Sequence, residues 1–79
     1  MQKIPSTVLI YQRGGAYYCD ATGCFGGGYS GAYAGKTPEE AALFAEREKG
    51  RYISNNSAGG QIIIPAEVRE ALKAATIKA

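Results

Sequence analysis

Thr7-Val8-Leu9-Ile10-Tyr11 opens the chain with consecutive β-branched, aliphatic and aromatic residues, a composition that fits a pleated strand. Arg13-Gly14-Gly15-Ala16 follows, and Ala16-Tyr17-Tyr18-Cys19-Asp20 resumes the same character. A Gly-Gly pair between two such runs predicts a two-residue hairpin turn, because glycine accepts the positive φ values that such turns demand. Residues 22–28 form the most glycine-dense stretch and read as a loop or wide turn. Tyr29-Ser30-Gly31-Ala32-Tyr33-Ala34 then predicts a third strand. Simple alternation puts Tyr29 and Tyr33 on one face and the small residues Ser30, Ala32 and Ala34 on the other, a floor for a closely packed helix.

Thr37-Pro38-Glu39-Glu40 is a helix start: Thr37 as N-cap, Pro38 at the first helical position, Glu40 placed to reach back. Ala41-Ala42-Leu43-Phe44-Ala45 is expected to supply core contacts, and Gly50 a left-handed stop. Arg51-Tyr52-Ile53-Ser54 predicts a short strand. Asn55–Gly60 is turn chemistry, and Gln61-Ile62-Ile63-Ile64 predicts another strand. Pro65 opens a second helix with Val68, Ala71, Leu72 and Ala75 at helical spacing. The expected fold class is α+β: an antiparallel sheet of four to five strands with two helices, in the order β-β-β-α-β-β-α. Residues 1–79 read as a single domain without repeat or linker.

Composition narrows the chemistry. The chain has 79 residues, 46% of them hydrophobic and 20% charged, with a net charge of +2. A domain this small buries only about 60% of its unfolded surface, which leaves little chain for a deep water-free pocket and makes a homodimer one route to added stability. No apolar run approaches the roughly 18 residues of a bilayer span. The start, Met1-Gln2-Lys3-Ile4-Pro5, lacks a signal-peptide core, so a cytoplasmic location is expected. The chain has no His, the commonest general acid-base residue and metal ligand. With Ser, Thr and Cys lacking an imidazole to activate them, the expectation is a non-enzymatic protein without cofactor.

Three features invite sharper readings. Cys19 and Cys24 fall short of a four-ligand zinc set and, in a reducing compartment, are expected as thiols; a disulfide across a hairpin is the alternative. Gly26, Gly28 and Gly31 have the Gly-x-Gly-x-x-Gly spacing, but a nucleotide fingerprint requires that run to open a helix, and here it leads into a strand. The six tyrosines, Tyr11, Tyr17, Tyr18, Tyr29, Tyr33 and Tyr52, divide among core, protein contact and base stacking. For partner contacts the candidates are Arg13, Tyr17, Tyr18, Lys36 and Arg51, charged or aromatic residues near turns and helix ends.

Three stretches carry resemblances. Gly60-Gln61-Ile62-Ile63-Ile64-Pro65-Ala66-Glu67-Val68-Arg69-Glu70-Ala71-Leu72 resembles the opening of AbrB/MazE-type swapped-hairpin DNA-binding domains, although those continue with a further hairpin. Gly31–Ala41 is similar to the hairpin-then-helix step of HicB-like antitoxins, with a Gly, a Thr cap and Glu-Glu-Ala at the helix start. The broadest resemblance spans most of the chain and rests on size and element order: Tyr29–Gly35, Lys36–Lys49 and Ile62–Arg69 follow the plan of small phage-encoded anti-CRISPR proteins that act on type I systems. That resemblance implies direct binding to a subunit of a CRISPR surveillance complex. The competing expectation, from the Gly60–Leu72 segment and the basic residues Arg13, Lys36, Arg51, Arg69 and Lys73, is a nucleic-acid-binding regulator or antitoxin.

Overall fold

A computed structural model describes residues 4–78, with side chains through residue 74. Met1, Gln2 and Lys3, and the core position expected for the Ala75 side chain, lie outside what is described. Strands β1 (Ser6–Arg13), β2 (Ala16–Thr22) and β3 (Gly28–Gly35) precede helix α1 (Pro38–Glu48), and strand β4 (Gly60–Ile63) precedes helix α2 (Ala66–Lys78). The sheet order is β3-β2-β1-β4. The first three strands are antiparallel neighbours, whereas β4 runs parallel to β1, pairing Ser6 with Gly60 and Leu9 with Ile63. The fold is α+β as expected, but the sheet is mixed. The chain leaves the sheet through α1 and returns to the far edge in the direction of β1, as a helical crossover allows.

Gly14 and Gly15 carry φ of +58° and +82°, the two left-handed residues of a tight hairpin turn that only glycine adopts without strain. Thr37 caps α1 by accepting from the Glu40 N–H at 3.2 Å. The Glu40 carboxylate reaches back to Lys36 N–H at 3.1 Å and to the Thr37 hydroxyl at 3.3 Å, one residue beyond the usual reciprocal cap.

The strand expected at Arg51–Ser54 does not form. Lys49–Ile53 is a π-helical turn that continues α1, closed by a bond from Ser54 N–H to Lys49 C=O at 3.0 Å. Gly50 therefore does not end the helix in a left-handed conformation. Ile53 is held by packing against the core and does not enter the sheet. With β1 already paired to β2 and β4, no sheet position beside it is left for a strand from this segment.

The core lies between one face of the sheet and the helices. Val8, Ile10, Tyr17, Cys19 and Ala34 from the strands meet Ala41, Ala42 and Ala45 of α1 and Val68 of α2. The alanines let α1 approach β3 closely, and Ala34 does form part of its floor. Leu43 corrects the expectation for its segment: it turns away from the sheet and is 66% exposed. Its place in the run of five apolar residues put it on the far side of the helix, 200° from Ala41 at about 100° per residue.

Asn56 ties the first strand to the loop before β4. Its side chain donates to Ile4 C=O at 2.9 Å and to the buried Ser6 hydroxyl at 2.8 Å, and accepts from Ala58 N–H at 3.0 Å. Among the described residues, no helix is long and apolar enough to cross a membrane.

Candidate binding surface

The pleat sends Ser6, Val8 and Ile10 of β1 and Tyr17, Cys19 and Ala21 of β2 into the core. Thr7, Leu9 and Tyr11 and their neighbours Tyr18, Asp20 and Thr22 therefore face the opposite side, where, among the described residues, no helix packs. The tyrosines of this open face form a row across three strands. Tyr11 pairs with Tyr18 and Tyr18 with Tyr33 in the sheet register. The Tyr11 and Tyr18 rings lie 6.1 Å apart at 28°, and the Tyr18 and Tyr33 rings 6.0 Å apart at 78°. Both arrangements belong to the favourable range of aromatic pairs. Leu9 and Ile63, side by side on β1 and β4, extend the row with aliphatic surface. Tyr33 is 52% exposed and Ile63 45%.

A bulge in β3 creates this row. Between Ala32, opposite Cys19, and Tyr29, opposite Ala21, β3 takes three steps while β2 takes two. Gly31 absorbs the extra residue at φ +74°, and its N–H donates to Asp20 Oδ1 at 2.7 Å. The extra step reverses the alternation, so Tyr29 and Tyr33 fall on opposite faces, contrary to the expectation from spacing. Tyr29 packs against the core, its hydroxyl 3.7 Å from Cys19 Sγ and its ring 6.1 Å from that of Tyr52. Burial, and then the contact with Cys19, push the Tyr29 hydroxyl well above the ordinary tyrosine value. Burial likewise raises the Cys19 thiol. Asp20 also accepts from the Tyr11 hydroxyl at 3.3 Å, so one carboxylate anchors both the bulge and the first ring of the row.

The five candidate contact residues do not converge on one patch. Tyr18 sits at the centre of the tyrosine row. Arg13 is exposed where β1 enters the hairpin, at the edge of the same face. Lys36 is exposed between β3 and α1, at the same end of the sheet, since Gly35 pairs with Tyr17. Arg51 lies at the other end, its guanidinium 6.0 Å over the Tyr52 ring. It borders a shallow cleft of about 290 Å³ with Cys24, the exposed Phe25, Tyr52 and Asn55. Tyr17 is corrected outright: it is 3% exposed, and its hydroxyl donates to Glu67 Oε2 of α2 at 2.9 Å. It follows Ala16 on the pleat, and its parity with Cys19 sends it into the core.

Sequence reasoning set Tyr33 opposite the helix floor but did not choose it or Tyr11 as a contact residue, and it passed over Leu9 and Ile63. On β1 and β4 the strand parity was readable, but which parity faced the helices was not. The cysteines are both free, Cys19 buried and Cys24 half-buried. The glycine run closes on itself through the backbone, Gly23 N–H to Gly27 C=O and Gly26 N–H to Gly23 C=O, and leads into β3. Comparison of the chain with family models, curated proteins and solved structures returns no match.

Proposed function

We propose that the protein is a non-enzymatic binding module whose open sheet face docks a protein partner. The observation that carries this reading is the uncovered row of Tyr11, Tyr18 and Tyr33 flanked by Leu9 and Ile63. Tyrosines held by neighbouring rings present large contact area while losing little further freedom on binding, which is why they concentrate at interface hot spots. The charge on the face favours protein over nucleic acid: Asp20 lies among the rings, and Arg13, Lys36 and Arg51 are spread over both ends of the sheet and do not track a backbone path. The partner class we infer, from the resemblance of the sequence in size and element order to small anti-CRISPR proteins, is a subunit of a bacterial type I CRISPR surveillance complex.

The test is capture of purified surveillance complex by the immobilised chain, paired with an interference assay in cells. Tyr18→Ala and Tyr33→Ala should each weaken capture by about 2 kcal/mol, roughly thirtyfold, with the fold intact. Interference left intact by the wild-type chain, with no complex captured, would overturn the defence-complex target. Full binding by both tyrosine variants would overturn the face.

A second reading has its own support, because three rings on an open sheet also form a stacking platform for unpaired bases. It makes the chain a nucleic-acid-binding regulator or antitoxin of AbrB/MazE-like or HicB-like type. It requires salt-dependent binding to single-stranded or duplex oligonucleotides, and a flat titration at low salt eliminates it.

A further inference from the structure

Leu43 is the most exposed large hydrophobic residue among those described, and it does not stand alone. Glu40, Leu43, Phe44 and Arg47 recur at helical spacing along one flank of α1. They border an open groove of about 420 Å³ whose other wall is Tyr33, Ala34 and Gly35 at the end of edge strand β3. Helix α2 packs against α1, and none of its described side chains lines this groove.

The stripe reads acid, apolar, apolar, cation from the N-terminal to the C-terminal end of α1. Such an order is complementary to itself when reversed. Two copies of α1 laid antiparallel about a two-fold axis bring Leu43 of each copy against Phe44 of the other and each Glu40 opposite the Arg47 of the other copy. A two-fold contact is isologous, so one patch must supply both halves of every pair, and this stripe does. Both charged groups are already oriented. The Glu40 carboxylate is held by Lys36 N–H and the Thr37 hydroxyl, and the Arg47 guanidinium lies 4.8 Å over the Phe44 ring. Arg47 also keeps a 3.6 Å contact with Glu48, yet its side chain is 67% exposed. Oriented groups lose less freedom on association.

The neighbouring edge of β3 does not offer an alternative mode. The register of β3 shifts twice against β2, near Gly31 and near Ala34, and bulges of this kind twist an edge away from strand addition. Side chains of α1, not backbone pairing, are what the groove presents.

We propose that the chain forms a two-fold dimer through this flank of α1, with Leu43 and Phe44 flanking the axis and reciprocal Glu40–Arg47 pairs on either side. The occupant of the groove is a second copy of the same chain. The groove shares Tyr33 with the tyrosine row but not Tyr18, so Tyr18→Ala is expected to leave the dimer unchanged.

Sedimentation of the full chain from micromolar to millimolar concentration tests it, with circular dichroism as the check on folding. The wild-type chain should populate a dimer. Glu40→Lys and Arg47→Glu each place like charges together at both pairs and should weaken self-association by about tenfold or more. An equimolar mixture of those two variants restores both pairs and should recover the dimer, a result that no purely structural role for either residue gives. Leu43→Ser should also dissociate it. If Glu40→Lys fails to fold through loss of its cap, Arg47→Glu and Leu43→Ser decide the matter. A wild-type chain that stays monomeric throughout, variants that remain dimeric, or a mixture of folded variants that stays monomeric would each overturn the proposal.

Discussion

Replacing Gly31 with alanine tests the device that places Tyr33 on the open face. The residue sits at φ +74°, and a Cβ built on it meets no atom within 4 Å. The penalty is therefore conformational and not steric, about 1–2 kcal/mol for a side chain held in the left-handed region. Alanine also stiffens the unfolded chain, which offsets about 0.4–1 kcal/mol. The net expectation is a loss of about 1 kcal/mol, against a total stability of roughly 4–12 kcal/mol for a domain of this length. Gly27→Ala is the matched control: it too has open space, and its φ lies outside the left-handed range. It should gain about 0.4–1 kcal/mol through the unfolded state alone. Equilibrium urea unfolding followed by circular dichroism reads both, and an unchanged slope assigns the shift in midpoint to stability. Asp20→Ala removes the acceptor that anchors the bulge, so its effect and that of Gly31→Ala should add to less than their sum. If Gly31→Ala is as stable as the wild type, or if it and Gly27→Ala shift together, the bulge does not depend on glycine and the argument for the tyrosine row fails.

Other consequences of the structure are equally open to measurement. Asn56→Asp keeps the shape but removes both donors, setting a carboxylate against Ile4 C=O and the buried Ser6 hydroxyl; urea unfolding should show a loss of about 3 kcal/mol, more than for Asn56→Ala. Glu48 is buried, with Oε2 lacking a hydrogen-bond partner, so Glu48→Met should raise the urea midpoint, by about 1 kcal/mol in stability. A lowered midpoint there would show that the carboxylate is held by more than its contact with Arg47. Tyr29 and Cys19 hold their protons more tightly when folded than at the ordinary values of 10.0 and 9.0. The unfolded chain thus releases those protons first, so their contribution is fully present below pH 9 and declines as pH rises above it. Thermal melts between neutral and alkaline pH should show that decline, and Tyr29→Phe should make it shallower; an identical profile in the variant would refute the assignment.

Much of the local structure was legible because it depends on short-range rules. Gly14-Gly15 dictates a tight turn, Thr37-Pro38-Glu39-Glu40 dictates a helix start, and the β-branched runs of Thr7–Tyr11 and Gln61–Ile64 favour strands, each through the conformational limits of a few adjacent residues. The misreadings arose where two distant segments compete. Arg51–Ser54 has the composition of a strand, but the sheet positions beside β1 are taken by β2 and β4, and the segment winds on as a π turn instead. Tyr17 has the composition of a contact residue, but the helices lie on its side of the sheet, where Glu67, fifty residues away, meets its hydroxyl. For Tyr29 and Tyr33 the period of two was sound until the bulge at Gly31 broke it, and a bulge is a property of two paired strands. By itself, then, the amino-acid sequence determined the hairpin turn, the starts of the two α-helices, four of the five expected strands and the alternation along those without a bulge. Only the tertiary structure decided which face of the sheet the helices cover, and with it which tyrosines form the core and which form the open row, because that choice belongs to packing between elements and not to any one of them.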